Sequence, residues 1–106
     1  MTASKYRNRK VELDGHTFDS AKEAKRWGEL KLLERAGQIA NLQRQVRYPL
    51  IINGRRVCSL IADFAYEQEG RVVVEDTKSD FTRKLPVWRI KSKLFEALNG
   101  FPIREV

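Results

Sequence analysis

The sequence predicts one α/β domain, with a central sheet flanked by helices, in the order hairpin, helix, three strands, helix, strand. Three features predict it. A helical segment with its own start and stop signals lies on each side of a block of β-forming residues. That block is cut into three runs by Asn53-Gly54 and by Glu67 to Gly70. The chain has 106 residues, enough for one modest core and too few for two.

Residues 1–10 hold Lys5, Arg7, Arg9 and Lys10 and no acid, so they read as a basic flexible arm ahead of a single domain over 11–106. Val11 to Phe18 alternates apolar and polar residues around Asp14-Gly15, which suits a tight hairpin turn whose two central residues need positive φ. Ser20 stands three residues before Glu23, the spacing of a capping box, and Gly37 supplies a stop, which together predict the first helix. Residues 41–52 and 55–66 are rich in β-formers and join at Asn53-Gly54. Arg71 to Lys78 follows as a third strand, and its valine run suggests a central place in the sheet. Residues 79–85 read as a polar loop. Pro86 suits a first helical turn and Asn99-Gly100 an end, with Val87, Ile90, Leu94, Ala97 and Leu98 as the stripe expected to face the sheet. Trp88 and Phe95 fall off that stripe, Trp88 as extra core or as an aromatic contact for nucleic acid. Phe101 to Val106 supplies one more short strand.

A single Cys58 and a single His16 exclude an internal disulfide and a zinc ribbon. No run approaches the roughly 20 apolar residues of a membrane span, and the first ten residues lack the apolar middle of a signal peptide, so a cytoplasmic protein without membrane partners is expected. The formal charge of +7 is unevenly placed: residues 1–62 hold 13 basic and 6 acidic groups, residues 63–106 hold 8 and 8. Arg35 to Ala62 and Arg83 to Lys93 contain no acid at all. Such windows suit a polyanion, or a positive surface kept for solubility.

Side chains two apart on a strand share a face, so Asp76 and Lys78 point together while Glu75 and Thr77 point away. Asp63 closes the apolar stretch Leu60-Ile-Ala on the preceding strand, and the turn through Glu67 to Gly70 brings its carboxylate beside Asp76. Two acids and a lysine then converge. Magnesium prefers oxygen ligands and is commonly held by one or two protein carboxylates plus substrate phosphate. Glu23 shares a helix side with Trp27 and Leu30, facing the sheet, and offers a third carboxylate; it also completes the Ser20 capping box, and the sequence leaves both roles open. Gln45 either hydrogen-bonds near this site or faces solvent, the simpler reading. His16, Cys58 and Trp27 read as structural.

The order of elements, with Asp63 on the second strand, Asp76-Thr77-Lys78 on the third and Glu23 on the first helix, resembles the PD-(D/E)XK nuclease superfamily. Phe18-Asp-Ser20 with Glu23, Ile61-Ala-Asp-Phe64 and Val74-Glu-Asp-Thr-Lys78 are similar to a group of small phage-encoded domains within it, many of unknown function. The likeness spans nearly the whole chain. Ala62 stands where the superfamily pattern has proline, and Asp76 where glutamate is commoner. The resemblance implies a restriction-endonuclease-like core with a mixed sheet. It implies a phage or prophage protein in a bacterial host that hydrolyses DNA phosphodiesters with Mg²⁺, Mn²⁺ substituting, on branched or recombination-intermediate DNA. Asp63, Asp76, the Thr77 carbonyl and Glu23 would hold the metal, and Lys78 would orient the attacking water and offset charge on phosphate. Lys84, Arg89, Lys91 and Lys93 lie just after the proposed metal strand, where duplex phosphates would pass, and Lys5, Arg7, Arg9 and Lys10 would extend the contact. A homodimer would suit cutting two strands. The alternative is a non-catalytic nucleic-acid-binding protein of the same fold.

Overall fold

The computed structural model describes residues 10–106. Lys5, Arg7 and Arg9 lie outside the described residues, and Lys10 is exposed. A hairpin of β1 (Val11–Leu13) and β2 (His16–Phe18) precedes helix α1 (Ala21–Arg35). The main sheet has the order β3 (Ala40–Ile52), β4 (Arg55–Gln68), β5 (Arg71–Asp76), β6 (Arg104–Glu105). Strands β3, β4 and β5 are antiparallel neighbours and β6 runs parallel to β5, so the sheet is mixed. The turns at Asp14-Gly15, Asn53-Gly54 and Glu69-Gly70 all have positive φ at both residues, the geometry that joins twisted strands tightly.

Two helices follow β5 in place of the expected loop and one helix. Residues Asp80–Arg83 form a single turn, α2, because Ser79 and Thr82 cap one another: Thr82 N donates to Ser79 Oγ (3.1 Å) and Ser79 N to Thr82 Oγ1 (3.0 Å). Threonine takes the place that Glu or Gln usually fills in such a box, which hides the signal. Helix α3 (Pro86–Asn99) begins and ends as its Pro86 and Gly100 dictate.

The sheet is covered on both faces. Phe18, Trp27, Leu30, Phe64 and Tyr66 pack beneath α1, and Leu50, Leu60, Ala62, Val74, Trp88 and Phe95 beneath α3. Most of the stripe expected to hold α3 down is turned outward, with Val87 and Ile90 65% and 66% exposed and Leu94 alone packed against the core, while Trp88 and Phe95 are buried. Seven residues apart, those two rings lie on one helix side and carry more apolar area than the aliphatic residues they displace. Lys91, between them, donates to the Ser59 carbonyl (3.0 Å), and Phe95 meets Tyr48 and Phe101 edge to face. The last strand is shorter than expected because Pro102 has no amide to donate and Ile103 is drawn into the core. Val106 N still bonds the Asp76 carbonyl (3.0 Å).

One feature of the β3–β4 ribbon sets up the site. Leu42, Phe64 and Tyr66 pack on the α1 side, whereas Val46, Tyr48, Leu50, Leu60 and Ala62 pack on the α3 side. All carry even numbers, so strict alternation would keep the residues of each strand on one face. The changeover falls between the pairs Arg44↔Phe64 and Val46↔Ala62, where Gln45 stands opposite Asp63. Gln45 has φ 55°, a left-handed backbone uncommon for a residue other than glycine. Beyond this point β4 has lost β5 as a neighbour, whose pairing covers only Phe64–Gln68, so the distal ribbon is two-stranded.

Candidate active site

Because the ribbon changes faces at Gln45 and Asp63, carboxylates from both sides of the sheet come together there. Glu23 arrives from α1 and is 3% exposed. Its amide donates to Ser20 Oγ (3.1 Å), which caps the helix, but its carboxylate goes elsewhere: Oε2 lies 3.3 Å from Gln45 Nε2 and 3.6 Å from Arg44 Nη2. Only the Ser20 half of the expected capping box forms, because the Glu23 carboxylate faces Gln45 and Arg44 and not the Ser20 amide.

Asp63 accepts two hydrogen bonds at Oδ2, from Thr77 N (2.8 Å) and Thr77 Oγ1 (2.7 Å), and a long one at Oδ1 from Gln45 Nε2 (3.4 Å). The Thr77 side chain was expected to point away. Strand β5 ends at Asp76, alternation lapses there, and the hydroxyl turns back to Asp63. Asp76 is 2% exposed, and its Oδ1 accepts from Asp63 N (3.1 Å). Its Oδ2 lies 2.9 Å from Lys78 Nζ, out of line for a hydrogen bond, and is buried with an ion-pair partner only. Lys78 Nζ also sits 4.2 Å above the Trp88 ring, which screens it from water on one side. Glu75 faces the opposite way, where Arg26 grips it through Nε (2.8 Å) and Nη2 (2.7 Å), and the Tyr66 hydroxyl donates to it. Period two therefore separates Glu75 from Asp76 as the sequence implies.

Above these groups lies a cleft of about 280 Å³ lined by Asp19, Ser20, Lys22, Glu23, Asp63, Thr77, Lys78, Ser79 and Thr82. Burial, with the nearby Asp63 and Asp19 carboxylates, pushes the Glu23 carboxyl up to about 7 against the opposing Arg44. Burial and Asp63 likewise push Asp76 up to about 7, with Lys78 opposing. Both groups bind protons more tightly folded than unfolded. The stability this gives is complete below the unfolded values of 4.5 and 3.8 and is lost as the pH rises through about 7. The cation-free protein is therefore expected to melt several degrees lower at pH 8 than at pH 6. Mg²⁺ should restore the loss at pH 8 and have little effect at pH 5, as differential scanning calorimetry would read. A melting point that climbs steadily from pH 6 to pH 8 without cation would contradict the crowding.

Apart from the Lys22 and Lys78 ammonium groups, the polar side chains lining the cleft offer oxygens, which suits a hard cation, and Asp76 Oδ2 is a buried oxygen held by its ion pair with Lys78 and by no hydrogen bond. Among the described residues, no three His, Cys, Asp or Glu side chains converge as a metal-holding set. The reason is visible: Asp63 is turned to Thr77, and Asp76 to Lys78 and the Asp63 amide. Of the basic residues anticipated in or just before α3, Lys84, Arg89 and Lys93 are exposed. Lys91 is instead spent on the Ser59 carbonyl.

A family model described as a protein of unknown function (DUF1064) matches residues 3–102. The chain belongs to the DUF1064 family. No curated protein and no solved structure matches it. In this DUF1064 protein, Asp63, Asp76 and Lys78 meet as adjoining strands predict, with Glu23 across the cleft. Two neighbours escape a reading of the sequence. Arg44 lies 3.6 Å from Glu23 and 4.3 Å from the Phe18 ring, and Lys22 Nζ donates to the Lys78 carbonyl (2.8 Å) at the cleft wall. Period alone does not place Arg44 here, because it takes β3 as a regular strand, and Lys22 reaches from α1 to a carbonyl far along the chain with no local signal. Gln45, which the sequence leaves between the site and solvent, meets both descriptions: it is exposed, and its Nε2 contacts Glu23 and Asp63. Among the described residues of the DUF1064 chain, no helix is long and apolar enough to cross a membrane.

Proposed function

We propose that the protein is a divalent-cation-dependent DNA endonuclease on a restriction-endonuclease-like core, acting on branched or recombination-intermediate DNA as a phage or prophage protein would. One observation carries the reading: Asp63 and Asp76, on neighbouring strands, meet beside Lys78, and Asp76 Oδ2 is buried there without a hydrogen bond. Asp63, Asp76, Glu23 and the Thr77 carbonyl are the groups that would hold the cation. Bound Mg²⁺ supplies Lewis acidity toward the phosphoryl oxygen and makes a nucleophile available near neutral pH. Lys78, 2.9 Å from Asp76 Oδ2, would offset the negative charge that grows on the phosphate. Trp88 and Asp76 fix its position, so little reorganisation is needed as that charge develops.

Exposed cations without side-chain partners among the described residues support DNA as the substrate: Lys84, Arg89 and Lys93 beside α3, and Arg47 and Arg56 on the open face of the ribbon. Five phosphate contacts would give a slope of about −4.5 in log affinity against log salt for duplex DNA. A non-catalytic nucleic-acid-binding protein is the second reading, and the absence of a convergent set of three ligands among the described residues favours it.

The test incubates the pure protein with supercoiled, linear, single-stranded and four-way-junction DNA, in Mg²⁺, Mn²⁺ or EDTA. Cutting that needs the cation and disappears in Asp63→Ala, with binding and a steep salt response retained, is the expected result. Binding with no cutting in any metal would select the second reading, and no binding to any of the four DNAs would remove both.

A further inference from the structure

We propose that Gln45 is a positioning residue of the cation site, its side-chain amide tying the helix carboxylate Glu23 to the strand carboxylate Asp63. The inference rests on the cation site described above and adds to it a part that the family resemblance does not supply.

Three independent features converge on this residue. Its Nε2 lies 3.3 Å from Glu23 Oε2 and 3.4 Å from Asp63 Oδ1, so one amide spans two carboxylates contributed by different elements. Its backbone is left-handed at φ 55°; Asn41 in the same strand shares that φ at a register shift between Ala40 and Gln43, whereas the register is unchanged from Gln43 to Val46 across Gln45. Gln45 is exposed, so burial of its side chain does not explain why the chain accepts that conformation. Strain of this kind persists where surrounding structure imposes it, and it concentrates at sites that need a group aimed in an awkward direction.

What the strain achieves is geometric. The turn of the backbone at Gln45 moves Val46 onto the α3 side while Arg44 stays on the α1 side. It thereby lets Glu23, under α1, share a partner with Asp63, whose other oxygen is held by Thr77 at the end of β5. A regular β residue at this position would keep the two sides of the sheet apart. The amide nitrogen carries partial positive charge and stands between two acids, the place where a cation would relieve the same repulsion. With Glu23 and Asp63 already drawn together, less ordering remains to be done when a cation binds, which is how a preset site gains affinity.

Two substitutions separate the backbone from the side chain. Gln45→Gly removes the amide and relieves the left-handed strain; Gln45→Ala removes the amide and keeps the strain. Both are expected to weaken Mn²⁺ binding about tenfold or more by titration calorimetry, with Gln45→Gly melting a few degrees above Gln45→Ala. A residue serving only the ribbon's shape would move melting temperature and leave Mn²⁺ affinity alone. In the wild type, the Gln45 side-chain amide resonances, assigned by their loss in Gln45→Gly, should shift along the Mg²⁺ titration with the same midpoint as binding. Mn²⁺ affinity within twofold of wild type in both variants, or amide resonances unmoved at saturating Mg²⁺, would overturn the proposal while the cation site stood. A wild type that binds no Mn²⁺ would remove the site itself and the role of Gln45 with it.

Discussion

Asp76→Asn should stabilise the cation-free protein at pH 8, raising its melting temperature by roughly 10 °C, and should reduce Mg²⁺-dependent cutting to background. The introduced amide would keep an acceptor where Asp76 Oδ1 takes the Asp63 N–H at 3.1 Å, and would remove the charge that burial and Asp63 disfavour. The amide nitrogen then faces Lys78 Nζ, which loses its 2.9 Å partner and must move away, as its 23% exposed side chain over the Trp88 ring allows. Discounting for that loss, relief of about 2 kcal/mol corresponds to the stated shift at about 4–8 °C per kcal/mol for a domain near this size. The sign depends on pH. Asp76 is largely protonated in the folded state below about 7, so the gain should fade at pH 5. Calorimetry of wild type and variant at the two pH values checks it, and a variant less stable than wild type at pH 8 would mean that the Lys78 ion pair outweighs the crowding.

The second large effect is expected on the other face of β5. Glu75 is fully buried, held by two hydrogen bonds from Arg26 and one from the Tyr66 hydroxyl, with Arg104 Nη1 at 3.8 Å. Burial, reinforced by Glu75, pushes the Tyr66 hydroxyl up to about 12, so it stays a donor throughout the working range. Arg26→Ala should cost about 3–5 kcal/mol, because it leaves a buried carboxylate with too few partners. Glu75→Ala should cost less, since Arg26 keeps Glu29 at 3.2 Å and some access to water. Urea unfolding that gives equal losses for the two variants, or a loss under about 1 kcal/mol for Arg26→Ala, would show that this pair does not anchor β5.

Much of this architecture is written locally. Asp14-Gly15, Asn53-Gly54, Ser20, Pro86 and Gly100 each specify a turn or a helix end by their own backbone chemistry, and the structure follows them. Asp63, Asp76 and Lys78 are legible for the same reason: neighbouring strands and a period of two place them together. What stays hidden depends on competition between distant parts. Which side of α3 meets the sheet is decided by the fit of Trp88 and Phe95 against Leu50 and Leu60, a comparison that a helical wheel cannot make. The place of Gln45 stays open in the sequence, between the site and solvent, because its left-handed backbone changes the parity on which the reading of β3 depends. Lys91 is hidden because its charge answers a strand carbonyl, not solvent. Sequence alone would also point to Asp63→Asn as the change that relieves the crowded acids, and the structure moves that expectation to Asp76. An amide at 63 that keeps its oxygen on the two Thr77 donors turns its nitrogen against Gln45 Nε2, 3.4 Å from Oδ1.

The adjacent acids at 75 and 76 make β5 intolerant of sliding. If the strand moved by one position so that Glu75 took the place of Asp76, Arg26 would face Val74 and the ammonium of Lys78 would give way to Thr77. Moved the other way, Asp76 would satisfy Arg26, but Glu75 would be driven among Ala65, Trp88 and Ile103. Each misalignment buries a charge opposite grease, so the guanidinium behind the sheet polices the chemistry in front of it.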